Sequence, residues 1–220
     1  EELKVGNVED AMAIGEDLKQ NLEKISHHGK RASGIVKGML EHSRAGDGEK
    51  ELIDLNGMVD EYLRLAYHGL RAKDKSFNAS YKTDFDENIP GIKVVPQDIS
   101  RVLLNLINNA FYACAERSRI TASIKSNDMS NKTYVPTVIV STTKLENKIQ
   151  ISIKDNGSGI PQDLLDKIFL PFFTTKPTGQ GTGLGLSMSY DIITKGHNGE
   201  LLVTTKDGEG SEFIIKLPVN

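Results

Sequence analysis

Asn105 and Asn109 stand four residues apart within NLINNA, residues 105–110, with Arg101 and Tyr112 in helical step with them. At that spacing the four side chains share one helix face, opposite Leu103, Leu106, Ile107, Ala110 and Cys114. Asparagine is a poor helix former, so two amides on one face either satisfy the backbone of a neighbouring loop or serve a ligand. A second signal is DNGSGIP, Asp155 to Pro161, which follows directly on a strand-like run. Alone it reads as an ordinary Asp-Asn-Gly turn. A carboxylate fixed at a strand end beside two glycines can also accept a hydrogen bond from an exocyclic amine, while the bare backbone lets a flat ring lie close, which is how an adenine is read. A third is TTKPTGQGTGLGLS, Thr174 to Ser187, which sets Gly179, Gly181, Gly183 and Gly185 just before a helix. Backbone amides of such a loop can wrap phosphates, and the same composition serves as a flexible linker. It lacks the Gly-Lys-Ser/Thr of a P-loop and does not follow a strand early in a βαβ unit, as a dinucleotide fingerprint would.

The elements that must position these residues follow from periodicity. Pro96-Gln97-Asp98 opens the helix that carries the asparagines. Thr137 to Thr143 and Ile149 to Lys154 are strands, the second with Ile149, Ile151 and Ile153 on one face. Leu184 to Lys195 is a helix stopped by Gly196, and Leu201 to Thr205 with Phe213 to Leu217 form a hairpin across Asp207-Gly208. Upstream, Asn56 is expected to cap a helix carrying Met58, Val59, Tyr62, Leu63, Leu65 and Ala66, and Ser76 to Phe85 alternates as a strand. Ser126 to Tyr134 is a polar loop. From Val8 to Met39 a three-four alternation through Ala11, Gly15, Leu18, Leu22, Ile25, Gly29, Ala32 and Val36 describes the seam of one long coiled-coil-like helix. Glycines on that seam cost helix propensity and imply a closely approaching partner helix. The mixture predicts an α+β fold, a two-layer sandwich of a mixed sheet with helices on one face, preceded by the long helix.

Composition sets the limits. The 220 residues, 38% of them hydrophobic, suffice for one core plus an appendage. Lys+Arg 27 against Asp+Glu 30 gives net charge −3, which recruits neither nucleic acid nor an anionic membrane surface, so any phosphate is bound locally. A single cysteine, Cys114, forms no internal disulfide and reads as a small buried hydrophobe in a reducing compartment. No apolar run reaches membrane-spanning length and Glu1-Glu2-Leu3-Lys4 is no signal peptide, so a cytoplasmic location is expected, with any membrane anchor lying upstream.

In this order the motifs resemble those of the ATP-binding catalytic domain of sensor histidine kinases, within the gyrase, chaperone, histidine kinase and mismatch-repair ATPase superfamily. NLINNA is similar to the family's asparagine box, DNGSGI to its first glycine box, IFLPFFTTK (Ile168 to Lys176) to its phenylalanine box and GTGLGLS to its second glycine box. The resemblance covers about Leu52 to Pro218 and implies a Bergerat-type ATP-binding fold using ATP and Mg²⁺. It implies that Asn109 ligates Mg²⁺ through its amide oxygen, that Asn105 supports metal and phosphates, and that Asp155 bonds the adenine amine with Gly157 and Gly159 giving the ring room. It places Phe172 and Phe173 at the edge of a mobile lid that carries Thr175 and Lys176. It implies that Gly181, Thr182, Gly183, Leu184 and Gly185 cradle the phosphates. Where many members carry a lysine or histidine three residues after the second asparagine, this chain has Tyr112, so a phosphate-contacting cation is expected from Lys176 or Arg101 instead.

Asn105 also bears on the branch. Relatives that hydrolyse ATP place a glutamate there to activate water, and an amide cannot act as that base, which favours phosphoryl transfer to a protein histidine and then to a response regulator aspartate. Two other readings share the residues: an ATP-sensing interaction module without catalysis, which Tyr112 keeps open, and a gyrase-like ATPase, against which Asn105 argues.

The two adjacent histidines, His27 and His28, are followed by Gly-Lys-Arg, whereas the family's acceptor histidine is typically followed by an acid, a base and a proline. The heptad sets His27 at f and His28 at g. The acceptor lies in the first helix of a helical hairpin, yet only residues 29 to 51, 23 in all, separate His28 from Leu52. Residues 1–45 are therefore expected to supply the second hairpin helix, with the first helix and its histidine outside this chain, residues 46–51 a linker, and 52–220 the catalytic domain. A homodimer through the bare seam and a response regulator receiver domain are the expected partners.

Overall fold

A computed structural model describes residues 8–43, 48–124, 134–177 and 181–219. The first helix, α1, runs Val8–Ser43 without a break, as the seam predicts. Among the described residues its seam is largely exposed: Leu18, Leu22 and Ile25 are 59%, 58% and 67% exposed, and nothing lies within 4 Å of where a side chain at Gly15 or Gly29 would project.

The remaining elements are β1 (Glu51–Ile53), α2 (Leu55–Lys73), β2 (Ser80–Phe85), β3 (Ile92–Val94), α3 (Pro96–Ile124), β4 (Thr137–Lys144), β5 (Lys148–Asp155), a 3₁₀ turn at Gln162–Leu164, α4 (Gly185–Asp191), β6 (Glu200–Lys206) and β7 (Gly210–Pro218). Five strands form one sheet in the order β2-β4-β5-β7-β6, β2 parallel to β4 and the other pairs antiparallel. β1 and β3 form a separate antiparallel ribbon that clips the start of α2 to the start of α3, burying Ile92 and Val94.

Register explains the core. Val140, Ile153 and Phe213 pair across three strands, as do Thr142, Ile151 and Ile215, so one face of the sheet is a buried, mostly apolar wall. Ile99, Val102, Leu103, Leu106, Ile107, Ala110 and Phe111 of α3 share one core with it, together with Leu55, Val59, Leu63 and Ala66 of α2. Tyr67, Phe77, Tyr81 and Phe111 meet at ring separations of 5.0–6.2 Å where α2, β2 and α3 converge. The two-layer mixed-sheet expectation holds. Asp155 is the next inward position of β5 after Ile153, so alternation alone carries this carboxylate into the buried layer.

Three local expectations are corrected. The cap of α2 is Asp54, whose Oδ1 accepts from the Gly57 amide at 3.2 Å; Asn56 instead donates to the Asp86 carbonyl at 2.9 Å and accepts from the Thr142 hydroxyl at 2.8 Å, tying α2 to the sheet. The strand expected from Ser76 begins only at Ser80, because Asp74 takes both the amide and the hydroxyl of Ser76 at 2.9 and 2.6 Å and holds that stretch as a turn. The helix expected from Leu184 to Lys195 is regular only to Asp191 and then widens into a π-helical turn, Ile192–Gly196. His197, just beyond it, is buried, with Nδ1 3.0 Å from the Ile192 carbonyl and Nε2 accepting from the Val95 amide at 3.1 Å. It locks the end of that helix to the start of α3. Most of the 126–134 loop lies outside the described residues.

Candidate functional site

The polar face of α3 meets the two glycine segments at different heights. A side chain at Gly157 would strike the Ala113 Cβ at 2.6 Å, and one at Gly185 would collide with the Asn105 carboxamide. Ala113 and Asn105 are two helical turns apart, about 12 Å, with Asn109 midway. The Asp155–Pro161 turn and the Gly181–Gly185 segment therefore close the two ends of one cavity of about 710 Å³, within the range of ligand sites. Asn105, Asn109 and Tyr112 line it from α3, Asp155, Gly159 and Ile160 from one side, and Phe173, Thr175, Lys176, Gly181, Thr182 and Gly183 from another. Arg101, expected on the same helix face, is not part of the lining. Phe172 is half exposed outside it, and Gly179 lies outside the described residues.

At the Asp155 end the carboxylate is buried, and burial pushes its pKa up to about 6, against the lowering pull of the Gly157 amide at 2.7 Å and the Ser211 amide at 3.3 Å. Both amides donate to Oδ1, so Oδ2 has no protein partner among the described residues. An acceptor that is costly to bury and only half satisfied is held ready for a donor from the cavity. The following turn is braced from behind. Asn156 Oδ1 accepts from the Thr137 amide at 2.8 Å and the Tyr134 hydroxyl at 3.1 Å, and the Arg117 guanidinium donates to the Asn156 and Gly157 carbonyls at 2.7 and 3.2 Å while lying 4.8 Å from the Tyr134 ring.

The glycines make room first for the protein itself. A side chain at Gly157 would meet α3, and one at Gly159, which has φ +75°, would meet the Lys206 carbonyl of the β6–β7 turn. The close approach of turn, helix and hairpin needs that space, and of the two glycines Gly159 also lines the cavity. Gly183, φ +70°, sits against the backbone of Phe172, itself at φ 67°, a conformation uncommon for a residue with a side chain. That contact fixes the Gly181–Gly185 segment to the Phe172–Lys176 segment.

In the middle, Lys176 Nζ donates to Asn109 Oδ1 at 2.8 Å and stands 4.3 Å over the Tyr112 ring. Burial lowers its pKa. Asn105 Nδ2 donates to the Ser189 hydroxyl at 2.9 Å, and Thr182 Oγ1 accepts from the Leu184 amide at 3.4 Å. Leu184 is buried and no side chain caps α4.

A family model of histidine kinase-, DNA gyrase B- and HSP90-like ATPases matches residues 94–220, more than half of the chain. The chain belongs to this family. Sensor histidine kinase ZraS of Escherichia coli (strain K12) is 28% identical over 206 residues, covering 94% of this chain and 39% of ZraS. Sensor kinase CckA of Brucella abortus (strain 2308) is 33% identical over 205 residues, covering 88% of this chain and 20% of CckA. Among solved structures, the nucleotide-free catalytic domain of histidine kinase ThkA superposes with a TM-score of 0.58 at 28% identity, covering 78% of this chain and 96% of that one. ThkA in complex with response regulator protein TrrA gives 0.64 at 26% identity, covering 92% and 52%. The chain spans at most about two-fifths of the curated relatives' length. It therefore carries the ATPase-type catalytic domain of sensor histidine kinases, and the mixed sheet with its helical layer is that domain's fold.

Within this histidine kinase-type domain, some site residues carried no signal in the sequence. Ser211 holds Asp155 through its amide, which any residue type provides, and only the β5–β7 register brings it there. Arg117 is about two turns beyond the asparagine box and reads as an ordinary surface arginine until Asn156 and Gly157 are folded beneath it. No helix among the described residues is long and apolar enough to cross a membrane.

Proposed function

We propose that this cavity binds ATP with Mg²⁺ and that the chain donates the γ-phosphoryl group to a protein histidine, from which a response regulator aspartate takes it. The observation that carries the reading is the buried Asp155, whose unpartnered Oδ2 faces a cavity with polar α3 side chains at its middle. Oδ2 accepts the adenine amine there. The site also suits a cation, since Asn109 Oδ1 already receives an ammonium. Bound ATP supplies the phosphoryl group and Mg²⁺ screens its oxygens. Asn109 is the protein ligand of the metal, Asn105 steadies it from its anchor on Ser189, and the backbone of Gly181, Thr182, Gly183 and Gly185 wraps the phosphates beside Thr175 and Lys176. Hydrolysis is disfavoured because Asn105 has no basic atom to take a proton from water and its amide is committed to Ser189.

We further propose that α1 is the second helix of a dimerisation hairpin, paired through its exposed seam with a second copy, and that the acceptor histidine lies on another helix. His28 is exposed, and the His27 side chain lies outside the described residues. The test is incubation with γ-labelled ATP, Mg²⁺ and a purified hairpin from a sensor histidine kinase, read by mass spectrometry for acid-labile phosphohistidine. Label on the hairpin is expected, and label on His27 or His28 or steady release of phosphate would overturn the assignment.

A further inference from the structure

The Lys176 ammonium is half-buried, yet both of its partners are neutral: the Asn109 amide oxygen at 2.8 Å and the Tyr112 ring centroid at 4.3 Å. No carboxylate lies within ion-pair distance of it among the described residues. A cation withdrawn from water without a counter-anion has an unmet demand for negative charge. Its placement is built. The Thr174 hydroxyl accepts from the Lys176 amide at 3.1 Å, and a side chain at Gly181 would meet the Thr174 hydroxyl at 2.7 Å and the Lys176 Cβ and Cδ at 3.3 Å. Glycine at 181 thus lets the facing segment close on the lysine stem. The platform is built as well, because an aromatic face attracts an ammonium most strongly where water is excluded. A lysine or histidine at position 112 would project its own charge from α3; tyrosine there receives one from across the cavity.

We propose that Lys176 is a tethered counter-cation for the phosphates, seated by Tyr112 on the same Asn109 oxygen that the metal uses. The inference rests on the nucleotide reading above. Lys176 and the divalent cation then compete for Asn109 Oδ1. When no divalent cation is present, Lys176 offsets one of the triphosphate's negative charges and the nucleotide stays bound; when one arrives, the ammonium yields Asn109 and keeps its place over the Tyr112 ring. Tyr112 is a positioning residue, acting only through Lys176.

The test is calorimetric titration of ATP into the protein in excess Mg²⁺ and again in EDTA, with Lys176→Met, Lys176→Arg and Tyr112→Leu beside the wild type. Removing the metal is expected to weaken wild-type binding by no more than about tenfold, and to weaken Lys176→Met at least about tenfold further, the loss of one charge-assisted contact. Lys176→Arg keeps the wild-type ratio and Tyr112→Leu falls between. A ratio of the two affinities that is the same in Lys176→Met and wild type, with binding intact, would overturn the proposal and leave the nucleotide reading standing. Absence of binding by the wild type in both buffers would remove both. Should Lys176→Met fold poorly, the Tyr112→Leu ratio decides, an unchanged value counting against the proposal.

Discussion

Asp155→Asn is expected to lose at least about 100-fold in ATP affinity while becoming more stable than the wild type at neutral pH. The two amides that donate to Oδ1, from Gly157 and Ser211, require an oxygen at that position. The variant must therefore turn its NH₂ group toward the cavity, where it opposes the adenine amine donor to donor. Loss of a charge-assisted bond plus this clash is worth roughly 3 kcal/mol, or about 100-fold. The gain in stability has the opposite sign for the same reason. Burial raises the folded-state pKa of Asp155 from 3.8 to about 6, so between those values the folded chain holds more protons than the unfolded one. The contribution of Asp155 to wild-type stability is therefore fullest below about pH 4 and is lost as pH rises through 6. A shift of that size corresponds to up to about 3 kcal/mol. The substituted amide has no charge to bury, so the variant should lack this fall. Urea unfolding midpoints at pH 4.5 and 7.5, with calorimetry at pH 7.5, check both halves. A variant that binds ATP normally would remove Asp155 from the adenine site.

Asn109→Asp should abolish productive binding more completely than Asn109→Ala. Alanine deletes the proposed metal ligand and a neutral acceptor of the Lys176 ammonium, an expected loss of about tenfold. Aspartate adds a charge beside the phosphates and converts the Lys176 contact into an ion pair that pins the lysine, so a loss of at least about 100-fold in Mg²⁺·ATP affinity is expected, with phosphotransfer reduced in parallel. Calorimetry and the γ-label assay read the two effects. Unchanged Mg²⁺·ATP affinity in Asn109→Ala would place the metal elsewhere.

Much of this site was legible because the same residues serve packing and chemistry. The α3 periodicity separates Leu103, Leu106 and Ile107 from Asn105 and Asn109, and both sets lie where that spacing puts them. The alternation of Ile149, Ile151 and Ile153 likewise carries Asp155 inward. What stayed hidden depends on partners far away in the chain. Asp54 rather than Asn56 caps α2 because Asn56 is claimed by Asp86 and Thr142, and nothing local signals that competition. The β1–β3 ribbon consists of two three-residue strands, too short for periodicity to register. His197 bonds to Val95, 102 positions away, and looks, in sequence, like a polar residue after a helix stop. The contact of Lys176 with Asn109 and Tyr112 is of the same kind, since a lysine between two glycine-bearing stretches reads as solvent-facing until the opposite segment closes on it.

The most direct measurement of the central claim is a calorimetric comparison of ATP and GTP binding to the wild-type chain in Mg²⁺. Guanine presents a carbonyl oxygen where adenine presents its amine, so Asp155 Oδ2 would face an acceptor instead of a donor, an unmatched pair that sites built on hydrogen bonding reject strongly. The expected result is ATP binding with GTP at least about 100-fold weaker. Equal affinities, or no binding of ATP, would contradict a site in which Asp155 reads adenine.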